Sequence, residues 1–237
     1  MSPSRFLVRE ALRGGLALCL LVSLLLSLAG CGTHALPPNW QLEAQGATER
    51  AVAAELEGHR RVADLEFDRA RLALAATARA DHLAQGELLR CAVSLASLVL
   101  GPCTAFESLR PDASPAQKAY ADYLAGRVQA AQVPLLPKVH QTFANQLLGA
   151  EAGNDQWLAV MGEADPLTRL VAAGTVFQAG KASPALVSMA VDTASAQGWR
   201  RPLLAWLGVQ ARLAELAGQT DEAQRVRRRM ALVPALD

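Results

Sequence analysis

The 237-residue sequence has no isoleucine, and aromatic residues make up only 5% of it. Valine and threonine together number 26. Strands draw on these residue types, so an all-β fold is excluded. Histidine is scarce too: only His34, His59, His82 and His140 occur, and none lies in a His-Glu-x-x-His pattern. Metal hydrolysis on that plan has no support. Also missing are a Gly-x-Ser-x-Gly elbow, a phosphate loop ending in Gly-Lys-Ser/Thr and a dinucleotide fingerprint, and without strands they would lack a scaffold. A net charge of +1 gives no global pull toward nucleic acid. No catalytic residue, metal set or cofactor is predicted from these residue types.

What is abundant is alanine and leucine, 47 and 39 residues respectively. Both head the helix-propensity ranking, and a charged fraction of 19% beside 51% hydrophobic residues is not that of a disordered chain. The expected fold is all-α.

Ten of the 39 leucines fall in the first 30 residues. Residues 1–13 carry Arg5, Arg9 and Arg13 against one acid, Glu10, and lead into an apolar stretch at 14–30. This is the layout of a secretory signal peptide. A bilayer span needs about 20 apolar residues, whereas this run is shorter and ends in Leu28-Ala29-Gly30-Cys31. That tetrapeptide, behind a basic region and an apolar core, resembles the lipobox of bacterial lipoproteins. The resemblance implies that residues 1–30 are removed, that the Cys31 thiol is diacylated, and that the new amino terminus is acylated as well, for instance with palmitate. Each buried CH₂ contributes about 0.8 kcal/mol, so two or three chains anchor a protein durably. With Gly32 rather than Asp after the cysteine, the resemblance implies the outer membrane, the domain facing the periplasm. Residues 31–42, with Pro37 and Pro38, read as the lipidated N-terminus and a tether.

Removing Cys19 and lipidating Cys31 leaves Cys91 and Cys103 as the free pair in an oxidising compartment, where a disulfide is expected. A helix through 88–98 and the Gly101-Pro102 turn would bring Cys103 back toward Cys91, and such a link typically contributes about 2–4 kcal/mol. Two buried thiols are the plainer alternative. A zinc site with His82 or His140 lacks the short cysteine spacing such sites use. Loss of three Arg and one Glu with the signal turns the net charge from +1 to −1.

The remaining chain reads as an N-terminal helical part, 43–163, and a C-terminal part, 164–237. Across 43–80, Val52, Leu56, Ala63, Phe67, Ala70 and Leu74 recur at three- and four-residue steps, predicting one long amphipathic helix or two in line. Alanine fills too many of these positions for a free coiled coil. Ser114-Pro115-Ala116-Gln117 is a capping-box arrangement before a helix over 119–133, and Asp165-Pro166 and Ser183-Pro184 repeat the cap-then-proline device. Gly149, Gly180, Gly198 and Gly218 sit where helices should end.

The C-terminal part predicts helices over 166–179, 184–197, 202–217 and 221–232. Pro166 and Pro202 are 36 apart, Ala185 and Ala223 are 38 apart, and such spacing fits helix-turn-helix repeats. The stretch Leu213-Ala214-Glu215-Leu216-Ala217-Gly218-Gln219-Thr220-Asp221-Glu222-Ala223 resembles the turn and second helix of a tetratricopeptide repeat. The resemblance implies antiparallel helix pairs stacked as an α/α array; an irregular helical bundle fits the remaining pattern equally well.

Three groups of side chains remain as functional candidates. Glu107-Ser108 resembles the catalytic pair of lytic transglycosylases, implying a general acid acting on peptidoglycan, but the Gly-rich segment that follows in that family is absent here. Arg225, Arg227, Arg228 and Arg229 fit a solvated face that complements a helix C-terminus. Trp199, Arg200 and Trp206 cluster at the start of the last helix pair, and Trp and Arg are enriched in binding hot spots. Trp157 and Phe177 read as core fillers. The sequence therefore predicts a lipid-anchored helical scaffold or adaptor, partnered by the membrane and by an envelope protein or peptide, with a peptidoglycan-acting enzyme as the rival.

Overall fold

Every regular element among the described residues is helical. The computed structural model describes residues 37–149 and 157–236, without the side chains of Trp157 and Val160. The expected signal peptide, Cys31 and residues 32–36 of the expected tether lie outside them.

The first run comprises α1 (Asn39–Glu57), α2 (Arg60–Ala75) and α3 (Ala80–Ala96). Helix begins at Asn39, so residues 39–42 of the segment expected as lipidated N-terminus and tether are helical. The expected long helix or in-line pair over 43–80 is instead folded back on itself at Gly58, where φ is +90°. The α2 residues Ala63, Phe67, Ala70 and Ala73 are buried at three- and four-residue steps, and α1 meets them with Ala44, Ala47, Ala51 and Ala54. Small side chains on both faces let the two helices approach closely. Arg50 of α1 pairs with Glu66 of α2 at 2.8 Å, and Arg71 of α2 with Glu87 of α3 at 2.9 Å. The same 16-residue separation in both pairs marks two antiparallel hairpins of matching geometry.

Short elements follow: α4 (Thr104–Glu107), a 3₁₀ turn (Arg110–Asp112), α5 (Pro115–Leu124), a second 3₁₀ stretch (Ala130–Leu135), α6 (Lys138–Gly149) and α7 (Trp157–Gly162). The capping box forms as expected: the Gln117 backbone N–H donates to Ser114 Oγ at 3.2 Å and the Ser114 N–H to Gln117 Oε1 at 3.0 Å. The helix expected to reach residue 133 stops at Leu124, however. Beyond it, Arg127 and Gln132 donate to the Asp122 carboxylate, and the Gln129 N–H donates to Gln132 Oε1. Local side-chain bonds of this kind compete with helix propagation.

The last run, α8 (Pro166–Gln178), α9 (Pro184–Gln197), α10 (Arg200–Leu216) and α11 (Thr220–Leu232), matches the expected helices within two residues. Asp165 accepts from the Thr168 N–H at 3.1 Å and Ser183 from the Leu186 N–H at 3.1 Å, so both cap-then-proline signals are genuine N-caps.

The two runs are joined along two seams. On one, α3 crosses α8 so closely that a Cβ at Gly174 would stand 2.6 Å from the Leu95 carbonyl oxygen, and Trp206 Nε1 donates to the Ala96 carbonyl at 3.0 Å. On the other, α10 meets the α1–α2 turn. Arg200 donates to the carbonyls of Glu57 at 2.8 Å and Ala235 at 3.2 Å, with His59 Nε2 at 3.3 Å, while Arg201 pairs with Glu55. These seams join the parts before and after residue 163, and residues 39–237 cluster as one compact unit. The first and last runs touch along both.

Candidate functional site

Of the three residues expected at a partner surface, Trp206 is 0% exposed and lies in the main core, its ring edge-on to Phe177 at 5.7 Å. It is a packing residue, not a contact for a partner. The α10 spacing carried that signal: Pro202, Trp206, Leu207, Ala211 and Ala214 form its buried stripe. Trp199 is partly buried against the same core, and Arg200 is engaged within the chain by the contacts to Glu57, Ala235 and His59. These three side chains therefore hold α10 in place.

Glu107 is likewise occupied. Arg110 grips it through two bonds, Nε to Oε2 at 2.7 Å and Nη2 to Oε1 at 2.9 Å, and the Glu107 side chain is 39% exposed. The hydrogen bond from Arg110 holds its carboxyl below the usual glutamate range. A glycosidase general acid needs the opposite: a carboxyl kept protonated by an apolar pocket.

His140 and His82 are each packed against aromatic rings. His140 is buried, with Nδ1 3.2 Å from Tyr123 Oη and its ring against Tyr120 and Phe143. Burial lowers its pKa to about 4 and raises those of Tyr120 and Tyr123. His82 stacks on Trp40 at 5.2 Å. Among the described residues, no group of three or more His, Cys, Asp or Glu is arranged to hold a metal ion.

Cys91 and Cys103 are joined in a disulfide with their Cα atoms 5.8 Å apart, inside the usual range for such bonds. Cys91 sits within α3; Cys103 immediately precedes α4. Between them the chain leaves the helix at Leu98, whose φ is +57°. A branched side chain in that conformation costs roughly 1–2 kcal/mol, so the surroundings must hold it there. They do so with bonds from the Leu98 and Val99 N–H groups to the Leu95 and Ser94 carbonyls, and from the Gly101 N–H to Gln178 Oε1 at 3.0 Å.

Beside this bond lies a groove of about 310 Å³, lined by both cysteines and by Arg90, Ser94, Val99 and Leu100 among others. Val99 and Leu100 are half exposed. The α3 wall is fixed from behind by Gly174 and Trp206. The groove is open and of mixed lining: Glu87, Arg90, Ser94 and Thr104 stand beside Leu95, Val99, Leu100 and Leu124. Sequence reasoning found the cysteines but not the groove, because Val99 and Leu100 fall in a loop where no periodicity marks them.

No family model, curated protein or solved structure matches the chain. Among the described residues, no helix is long and apolar enough to cross a membrane.

Proposed function

We propose that the protein is a lipid-anchored helical scaffold of the bacterial cell envelope, held at the outer membrane through Cys31 and facing the periplasm, which binds a protein or peptide through the groove beside Cys91–Cys103. The observation that carries the binding part is the half-exposed pair Val99 and Leu100 at the mouth of that groove. Two adjacent large apolar side chains at a groove mouth leave apolar area whose burial under a partner would be favourable. The anchoring part rests on the order of basic region, apolar core and Leu28-Ala29-Gly30-Cys31 in the sequence.

Each part has its own test. Metabolic labelling with a fatty acid marks the wild type and not Cys31→Ala; equal labelling of both removes the anchor. A photo-reactive residue at position 99, in cells, yields a discrete cross-link to one envelope protein that a probe at Arg212 on α10 does not give. Identical products from both positions would mean that the groove has no selectivity. Muropeptide release by the purified protein, abolished in Glu107→Gln, would replace the scaffold reading with the enzymatic one.

A further inference from the structure

The disulfide has two faces that differ in kind. Behind it, the end of α3 is fixed by backbone-level contacts: Gly174 against Leu95 O, and the Trp206 bond to Ala96 O. In front, Cys91 is partly exposed and both cysteines line the open groove. The loop that the bond closes is weakly held. Residues 97–99 are bonded to α3 carbonyls, but from Leu100 to Cys103 the tertiary hydrogen bond is that of the Gly101 N–H to the side chain of Gln178. Leu98, at φ +57°, is a branched residue in a conformation that favours glycine.

We infer that Cys91–Cys103 is a redox-responsive latch on this loop, opened in the folded protein by a dithiol reductant that enters the groove. This concerns the regulation of the recognition groove and rests on that reading for its consequence, though not for the exchange itself. The attacking thiolate bonds to Sγ of Cys91, the more exposed residue of the pair, and the Cys103 sulfur leaves with the electron pair of the broken S–S bond and takes up a proton. The second thiol of the reductant then displaces Cys91 and loses its proton. The dithiol becomes a disulfide and both protein cysteines become thiols. Freed at Cys103, residues 100–104 keep the Gly101 bond to Gln178, and the strained turn at Leu98 is left to the backbone bonds of residues 97–99, while α3 stays pinned from behind. The opening is local: Val99 and Leu100 leave the position that shapes the groove.

The test uses the full chain in mild detergent, carrying Cys19→Ser and Cys31→Ser so that Cys91 and Cys103 are the thiols counted. Dithiothreitol reduces the folded protein, read by mass after N-ethylmaleimide alkylation, at a rate within about tenfold of the urea-unfolded chain and with the helical circular dichroism unchanged. Hydrogen exchange then rises at least about tenfold across 99–104 and stays constant across 166–178. Leu98→Gly, which relieves the left-handed strain, shifts the equilibrium with dithiothreitol toward the disulfide by about fivefold. Alkylation that appears only as the helical signal is lost overturns the latch, as does unchanged exchange at 99–104 after reduction. An unshifted equilibrium in Leu98→Gly overturns the coupling to Leu98. A position-99 probe that captures nothing in either redox state counts against the recognition reading alone.

Discussion

The helices of residues 39–96 and those of residues 166–232 turn at nearly equal intervals but stop by different chemistry. In the later run the left-handed residues are Gly180, Gly198 and Gly218; in the first they are Gly58, Ala78 and Leu98, each 20 residues from the next. The interiors differ as well. The first run buries Glu55, Glu66 and Glu87, each paired with an arginine from another helix, whereas the later run buries apolar side chains, Trp206 among them, and threonine without a charged group. The same hairpin geometry thus arises with and without glycine, and with and without interior charge. Packing dictates where the chain must turn, and residue type then decides how much strain the turn carries.

The sharpest way to break the pairing of the two runs is at their crossing. Gly174→Ala places a methyl 2.6 Å from a backbone oxygen that has no free rotation. A loss of about 3 kcal/mol in urea denaturation is expected. A comparable effect comes from pH, in the segment between the runs. His140 has a folded-state pKa lowered to about 4 from 6.5 by burial, so between those values the unfolded chain holds a proton that the folded chain lacks. Stability is full above pH 6.5 and falls as pH drops toward 4, by on the order of 3 kcal/mol. The nearby Asp165 carboxylate opposes the effect without cancelling it. Thermal melts of wild type and His140→Leu between pH 4 and 7.5 isolate this contribution as the difference between the two curves.

Within the first run, Glu87→Gln removes the charge of a buried acid whose partner, Arg71, is half exposed and stays hydrated when unpaired. A loss of about 1–2 kcal/mol is expected; no change would make the two interiors energetically alike despite their chemistry. The smallest effects come from exchanging the stops. Gly198→Ala meets no atom within 4 Å and so reports backbone strain alone, about 1 kcal/mol of destabilisation. Ala78→Gly, at an exposed residue with φ +53°, stabilises by about 0.5 kcal/mol. Opposite signs at the two sites, measured by calorimetry, would confirm that glycine marks low strain and not the presence of the turn.

The later run was legible because its punctuation is chemical. Asp165-Pro166, Ser183-Pro184 and the glycines at 180, 198 and 218 satisfy end groups of the helices they bound. The first run was not, because a turn made at Ala78 looks like helix interior, and the apolar period passes through it unbroken. The interhelical pairs Arg50–Glu66 and Arg71–Glu87 were equally hidden. At 16 residues apart, they exceed any spacing that one helix face can bring together. The cysteine pair could be read by elimination and turn chemistry, whereas Val99 and Leu100 acquire meaning only from the walls that α3 and α4 build around them. Trp206 shows the converse: beside arginine it suggested a hot spot, but its neighbours in the α10 stripe placed it inside.

The contacts of Arg200 also set a limit on growth. A row of hairpins that ends in solvent lengthens by duplication, each copy stacking on the last. Here one guanidinium holds the carbonyls of Glu57 and Ala235, 178 positions apart along the chain. A duplicated hairpin inserted between the runs would carry α10 away from the first turn and leave Glu55 buried without Arg201. Insertions in this protein belong in exposed segments outside the seams.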